Sequence, residues 1–247
     1  MANIAFIPAR SGSKRLKDKN IRELLNLKLF LWSIRSAAQS KLIDKIIFST
    51  NSENYKNICF KDSTEKNYKV FFDMRTEDEA GDKVKIYDYI KREDVLDRNN
   101  IKDNDTLILM LPTCPLRYQN LVDQVISESS INKQAVFTCC EYDFHVSFAF
   151  LINSSNEIST LMGNNSPLVT GNTRSQDQKK YYHPNGSLYA IPIQYLKNTK
   201  ANSIYFEAKP FVMEAIYSCD IDSEQQLKVA ESVASSVKKE FKYLLDD

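Results

Sequence analysis

From Ile7 the chain reads IPARSGSKRLKDKN. Residues 10 to 22 hold six Lys or Arg against a single acid, Asp18. Ser11, Gly12 and Ser13 are small enough to let backbone N–H groups turn toward an anion. A segment of this composition can cradle a triphosphate. It also fits a solvated basic loop, the ordinary use of a charge run. Its spacing matches neither G-x-x-x-x-G-K-[ST] nor G-x-G-x-x-G, so a Walker-type ATPase and a dinucleotide-binding dehydrogenase gain no support.

A second group comes late in the chain, Ser218-Cys219-Asp220-Ile221-Asp222. If the backbone there is extended, side chains two apart share a side and both carboxylates can face one cation. Hard oxygen ligands of this kind suit Mg²⁺, which uses one or two protein carboxylates and completes its shell with water and phosphate oxygens. Asp222 or Ser223 can equally cap a following helix, with Gln226 completing a capping box. Capping leaves Asp220 without a role. Two further groups are Leu111-Pro112-Thr113-Cys114-Pro115-Leu116-Arg117, where two prolines fix a turn, and Thr173-Arg174-Ser175-Gln176-Asp177 followed by His183-Pro184-Asn185-Gly186-Ser187-Leu188-Tyr189. The first also reads as a plain structural turn.

These groups need elements that bring them to one edge. Through the first 140 residues, short apolar runs (IAFI, KIIFS, KVFF, TLILML and AVFTC) alternate with amphipathic stretches. That alternation predicts parallel strands with crossover helices, the runs being strands covered on both faces. The fold class is therefore α/β, a Rossmann-like, mostly parallel sheet with helices on both faces. The basic segment directly follows the first strand, at the carboxyl edge where such sheets bind ligands. From about 141 to 185 the pattern loosens, with weak strand signals near Val146–Ile152, and predicts an inserted arm. Strand pattern resumes at Ser187–Ile191 and Pro210–Tyr217, and a helix is predicted from about Glu224 to Leu245. One domain spanning 1–247 with an arm is the simplest organisation.

Composition narrows the chemistry further. The 33 basic and 32 acidic residues give a net charge of +1, which offers no global field for nucleic acid or an anionic membrane. An anionic ligand must be held by a local cluster. The opening apolar stretch breaks at Pro8 and Arg10, far short of a signal core or a membrane span, so a cytoplasmic location is expected. Cys59, Cys114, Cys139, Cys140 and Cys219 contain no C-x-x-C pair, which suggests reduced thiols rather than a zinc site or disulfide framework.

Taken in order, the motifs resemble those of the acylneuraminate cytidylyltransferases, the CMP-sialic acid synthetase family that includes CMP-legionaminate and CMP-pseudaminate enzymes. IPARSGSKRLKDKN is similar to that family's I-P-A-R-x-G-S-K-x-x-x-x-K-N. LMLPTCPLR is similar to L-L-Q-P-T-S-P-L-R, TRSQD to T-R-x-Q-D, HPNGSLY to R-P-N-G-A-I-Y, DIDSEQQLKVAE to D-I-D-T-E-x-D-L-x-x-A-E, and EDEAGD to x-E-L-A-x-D. The resemblance runs from residue 4 to about 231.

It implies a nucleotide-diphospho-sugar transferase fold and transfer of CMP from CTP to a nonulosonic sugar acid, with release of pyrophosphate. By resemblance Ala9, Arg10, Ser11, Gly12, Ser13, Lys14, Lys19 and Asn20 hold CTP, helped by Arg75. Arg10, Lys19 and Asp222 are the implied catalytic residues. Asp220 and Asp222 are the implied ligands of Mg²⁺ or Mn²⁺. Leu111, Arg174, His183 and Asn185 are the implied sugar-facing residues. Leu111 stands where the family usually has Gln, Lys85 and Ile86 where it often has a Ser pair, His183 where it has Arg, and Asn51 where it often has Asp. These departures bear on sugar identity, and somewhat on the base, rather than on the phosphate and metal ligands. In the family the arm packs on a second subunit, so a homodimer is expected. A metal-dependent glycosyltransferase of similar fold and a non-catalytic nucleotide-binding relative are the alternatives.

Overall fold

The computed structural model describes residues 1–198, 203–205 and 207–245. In chain order its elements are β1 (Asn3–Pro8), β2 (Glu23–Leu24), β3 (Leu27–Lys28), α1 (Leu29–Gln39), β4 (Lys45–Thr50), α2 (Glu53–Glu65), β5 (Val70–Met74), α3 (Ile86–Ile90), α4 (Glu93–Arg98) and β6 (Thr106–Met110). There follow α5 (Leu121–Asn132), β7 (Val136–Glu141), β8 (Phe150–Ile152), β9 (Ile158–Thr160), α6 (Pro167–Thr170), β10 (Tyr182–Pro192), α7 (Ile193–Asn198), β11 (Lys209–Val212) and α8 (Glu224–Ser236).

Seven strands form one sheet in the order β11-β7-β10-β6-β1-β4-β5. Only β10 runs against its neighbours, and the other pairings are parallel. The α/β class read from sequence is the observed one. Side-chain alternation explains why β1 is apolar throughout: Ala5 and Ile7 pack into the core on one face, while Ile4 and Phe6 pack into the core on the other. Strand β6 divides likewise, with Ile108 and Met110 on one side and Leu107 and Leu109 on the other. Each face buries its own hydrophobic area, so neither can go polar without loss.

Four sequence expectations change. KVFF forms the edge strand β5 rather than one covered on both faces, and exposed Phe71 is flanked by the ammonium groups of Lys45 and Lys69 at 4.8 and 4.7 Å from its ring centre. Strand β10 starts at Tyr182, because Tyr182 and His183 pair with Glu141 and Cys140 before a register shift between Pro184 and Tyr189. The expected strand over Pro210–Tyr217 stops at Val212 and gives way to a 3-10 turn at Ala215–Tyr217. The last helix ends at Ser236, and the chain turns there so that buried Phe241 meets Trp32 edge-on at 5.4 Å. No described helix is long and apolar enough to cross a membrane.

Beneath the carboxyl edge, buried Asp73 accepts from Ser49 Oγ at 2.6 Å, Tyr89 OH at 2.7 Å, Arg98 Nε at 2.9 Å and Asn99 Nδ2 at 3.2 Å. Burial alone raises the pKa of this carboxyl, but these donors and the Arg98 charge outweigh it and leave it below the ordinary value. A depressed folded-state pKa means that the contribution is full above the unfolded value of about 4 and is lost as pH falls through the folded one. The melting-temperature gap between wild type and Asp73→Asn is therefore expected to be constant from pH 8 to 5 and to shrink toward pH 3, which thermal unfolding measures.

Candidate active site

A cleft of about 530 Å³ opens at the carboxyl ends of the parallel strands, lined by residues of the basic loop, by Arg75 and Tyr89, by Leu111 to Thr113, and by Asp222. The loop leaves β1 in register, with the Ala9 N–H donating to the Ser49 carbonyl at 2.8 Å. Ser11 N–H donates to Asn51 Oδ1 at 2.9 Å, and Asn51 Nδ2 donates to Glu77 at 3.0 Å. Asn51 thus uses both ends of its amide, which an Asp at that place could not do. Gly12 has φ +77, a conformation that glycine adopts without strain. Buried Asn20 clasps the loop by donating to the Arg10 carbonyl at 2.9 Å.

The loop meets the late aspartates. Lys19 Nζ lies 2.6 Å from Asp222 Oδ1, and Arg15 reaches Oδ2 at 2.7 Å. The connection after β11 is a loop, not the continued strand on which the sequence argument for paired carboxylates is conditional. What holds it in place is Ile221, fully buried, whose N–H donates to the Thr113 carbonyl at 2.8 Å. Ser223, not Asp222, caps α8: its Oγ accepts from Gln226 N–H at 3.3 Å, and Gln226 Oε1 accepts from Asp222 N–H at 3.0 Å. The capping box does not use the Asp222 carboxylate, whose two oxygens pair with Lys19 and Arg15 in the cleft.

The two carboxylates differ in protonation tendency. Dense protein around the cleft raises the Asp220 pKa although its side chain reaches water, a hydrogen bond with Thr113 opposes this, and the Asp222 charge adds to it. For Asp222, burial acts upward but is outweighed by the Lys19 hydrogen bond and by the charges of Lys19 and Arg15, so it stays ionised. Asp222 lines the cleft and Asp220 does not, although Asp220 feels the charges of Asp222, Lys19 and Arg15; hard carboxylate oxygens of this kind are the ligands that Mg²⁺ takes together with water and phosphate oxygens. Among the described residues no group of three or more His, Cys, Asp or Glu is placed to hold a metal.

Arg75 is buried, donates from Nη2 to the Ser49 carbonyl at 3.1 Å, and keeps its Nε–H without a partner. Its guanidinium lies 5.7 Å from the Tyr89 ring centre, and burial lowers its pKa. Leu111 lines the cleft, where its Cδ1 lies 3.5 Å from where a Cβ on Gly186 would stand.

The remaining sugar-facing candidates lie outside the cleft lining. Arg174 is exposed in the segment before β10, 3.8 Å from Asp177. His183 Nε2 meets Cys140 Sγ at 3.2 Å, and its ring lies 4.6 Å from Tyr142. Asn185 is buried and spends its amide on Thr138 Oγ1 (2.7 Å), Ser187 N–H (3.1 Å) and Ser218 Oγ (2.9 Å).

Tyr89 and Asp82 were not singled out in the sequence, and Arg117 was read only as the end of a turn. Tyr89 lines the cleft beside Arg75. Asp82 pairs with Arg10 at 2.5 Å and also with Lys14; hydrogen bonds from Lys14 and then Arg10 hold its pKa down. Fully buried Arg117 donates to the carbonyls of Ser187 and Leu111 and to Ser33 Oγ, pinning the turn that carries Thr113. Only the EDEAGD resemblance gave any signal for Asp82.

Comparison with known proteins is consistent across the chain. A family profile described as Cytidylyltransferase matches residues 4–243. An N-acylneuraminate cytidylyltransferase of Escherichia coli is 29% identical over 238 residues, covering 92% of this chain and 51% of its own, so the chain spans about half that relative's length. A pseudaminic acid cytidylyltransferase of Campylobacter jejuni is 28% identical over 236 residues, covering 93% and 95% respectively. Among solved structures, a CMP:2-keto-3-deoxy-manno-octonic acid synthetase complexed with CTP superposes with a TM-score of 0.66 at 13% identity, over 96% of this chain and 100% of that one. A 4-diphosphocytidyl-2C-methyl-D-erythritol synthase from Anaerococcus prevotii gives 0.61 at 11% identity, over 95% and 98%. These last two establish likeness of fold.

Proposed function

The chain belongs to the cytidylyltransferase family, and from that premise we propose that it transfers CMP from CTP to the anomeric hydroxyl of a nonulosonic sugar acid in the cytoplasm. The hydroxyl oxygen attacks the α-phosphorus and gives up its proton to water, the bond to the bridging oxygen of the β-phosphate breaks, and pyrophosphate leaves. The observation that carries this reading is the meeting of the basic loop and Asp222 in one cleft at the carboxyl edge. Arg10, Ser13, Lys14, Lys19 and Asn20, with the Ser11 and Gly12 backbone, hold the nucleotide. Arg10 and Lys19 offset the charge that builds on the transferring group, where catalysis of such transfers chiefly lies. Arg75 and Tyr89 lie at the nucleotide end. Asp222, kept ionised, accepts a hydrogen bond from the attacking hydroxyl.

Asp220 and Asp222 are the residues that would hold Mg²⁺ or Mn²⁺. A bound ion supplies charge neutralisation on the phosphate oxygens and the leaving group. Pyrophosphate release measured with CTP and a panel of sialic, legionaminic, pseudaminic and Kdo-type acids tests the reading. Release with at least one nine-carbon acid is expected. CTP binding without release for any acid would leave a non-catalytic nucleotide binder.

Arg174 acts, in this reading, across a homodimer, because the arm that carries it has an apolar surface seeking cover. Leu151 is 75% exposed and Ile158 59%, with Phe144 and Leu161 also exposed. The double variant Leu151→Glu, Ile158→Glu is expected to sediment as a monomer at concentrations where wild type is a dimer. A monomeric wild type at micromolar concentration contradicts the assembly.

A further inference from the structure

Asp82 bridges two of the cations assigned to phosphate. Arg10 Nη2 lies 2.5 Å from its Oδ1, and Lys14 Nζ pairs with its Oδ2. Two carboxylate oxygens facing two cationic donors meet the same demand that a phosphate would meet.

The turn that carries Asp82 is held by its own bonds and by its neighbours, with one further bond from Arg10 Nη1 to the Ala80 carbonyl at 3.3 Å. Thr76 N–H donates to Glu79 Oε2 at 3.0 Å, and Glu79 N–H donates to Thr76 Oγ1 at 3.2 Å. Glu79 is further tied to Arg98 at 3.0 Å and to Arg92 at 3.1 Å. Two backbone bonds, Gly81 N–H to Asp78 O at 3.2 Å and Val84 N–H to Gly81 O at 3.1 Å, close the turn. By contrast, the bridging side chains are all accessible to water, at 34% for Arg10, 79% for Lys14 and 36% for Asp82. Ion pairs so exposed are weak and readily exchanged.

We infer that Asp82 is a resident counter-anion that competes with polyphosphate for Arg10 and Lys14. It yields these cations to an incoming triphosphate and takes them back as pyrophosphate leaves, which limits ground-state affinity and keeps product from trapping the cleft. The inference rests on the reading of the cleft as a triphosphate site.

Calorimetric binding of inorganic pyrophosphate and of tripolyphosphate to the full chain tests it, in wild type, Asp82→Asn and Asp78→Asn. The second variant removes the same charge from the same loop, where Asp78 pairs with neither cation among the described residues. Asp82→Asn is expected to bind both probes roughly 3- to 30-fold more tightly, the loss of two exposed pairs. The KM for CTP and the inhibition constant of pyrophosphate should fall by the same factor while kcat does not rise. Asp78→Asn should match wild type. Unchanged or weaker binding by Asp82→Asn overturns the inference, and so does equal tightening by Asp78→Asn. If wild type binds neither probe, the reading of the cleft itself fails.

Discussion

Replacing Asp222 with alanine is expected to lower kcat/KM by about 10²- to 10³-fold, the size of loss seen when a charge-stabilising group leaves a reaction centre. The fold should survive. The pair with exposed Arg15 is weak, and the pair with Lys19, though largely covered, lies at the cleft mouth rather than in either hydrophobic core. The cap of α8 belongs to Ser223, so helix stability does not depend on Asp222. Ser223→Ala makes the reciprocal case: it should lower stability by about 1 kcal/mol while leaving turnover near wild type. Steady-state kinetics and thermal unfolding on both variants separate the roles. Near-normal turnover in Asp222→Ala, or a melting drop confined to it, would reduce the residue to a structural part of the helix start.

Arg117→Met is expected to destabilise the protein by about 2–4 kcal/mol, since methionine fills much of the volume but leaves buried acceptors unmet. Those acceptors are the Ser187 and Leu111 carbonyls and the Ser33 hydroxyl. No carboxylate among the described residues pairs with this guanidinium, and burial pulls its pKa down to about 10, so it remains charged at neutral pH. Removing the charge recovers part of the desolvation penalty, which is why the expected loss stays below the sum of its hydrogen bonds. For a chain of this size the melting temperature should fall by roughly 5–15 °C. Because the same side chain fixes the turn bearing Thr113, activity at permissive temperature should fall as well. A variant as stable as wild type would show that the turn holds itself through its two prolines.

The sheet was legible where burial acts on both faces. β1 and β6 read as continuous apolar strings because alternate side chains enter different cores. KVFF has the same look and lies at an edge, since apolar sequence does not reveal how many neighbours a strand has. The basic loop and the late aspartates were legible as types and spacing, yet the choice between Asp222 and Ser223 as cap was not. That choice is made by Ile221, whose bond to Thr113 spans more than a hundred residues. Arg117 was read only as the end of a turn because arginine is seldom buried, and its partner Ser187 lies 70 positions away. Asp82 meets Arg10 and Lys14 only because the loop after β5 folds back over the loop after β1, a meeting that local pattern cannot express. Arg174, His183 and Asn185 were legible as motif members, but their motif does not place them in the cleft of their own chain.

In the proposed reaction one triphosphate is shared by the basic loop and the two aspartates through a divalent cation. The most direct measurement is a crystal structure with a non-hydrolysable CTP analogue and Mn²⁺, using anomalous scattering to locate the metal. A manganese peak is expected within about 2.3 Å of carboxylate oxygens of Asp220 and Asp222, with phosphate oxygens on the same ion and within hydrogen-bond reach of Arg10 and Lys19. A nucleotide bound elsewhere, or a triphosphate held in this cleft with no metal on either aspartate, would contradict it.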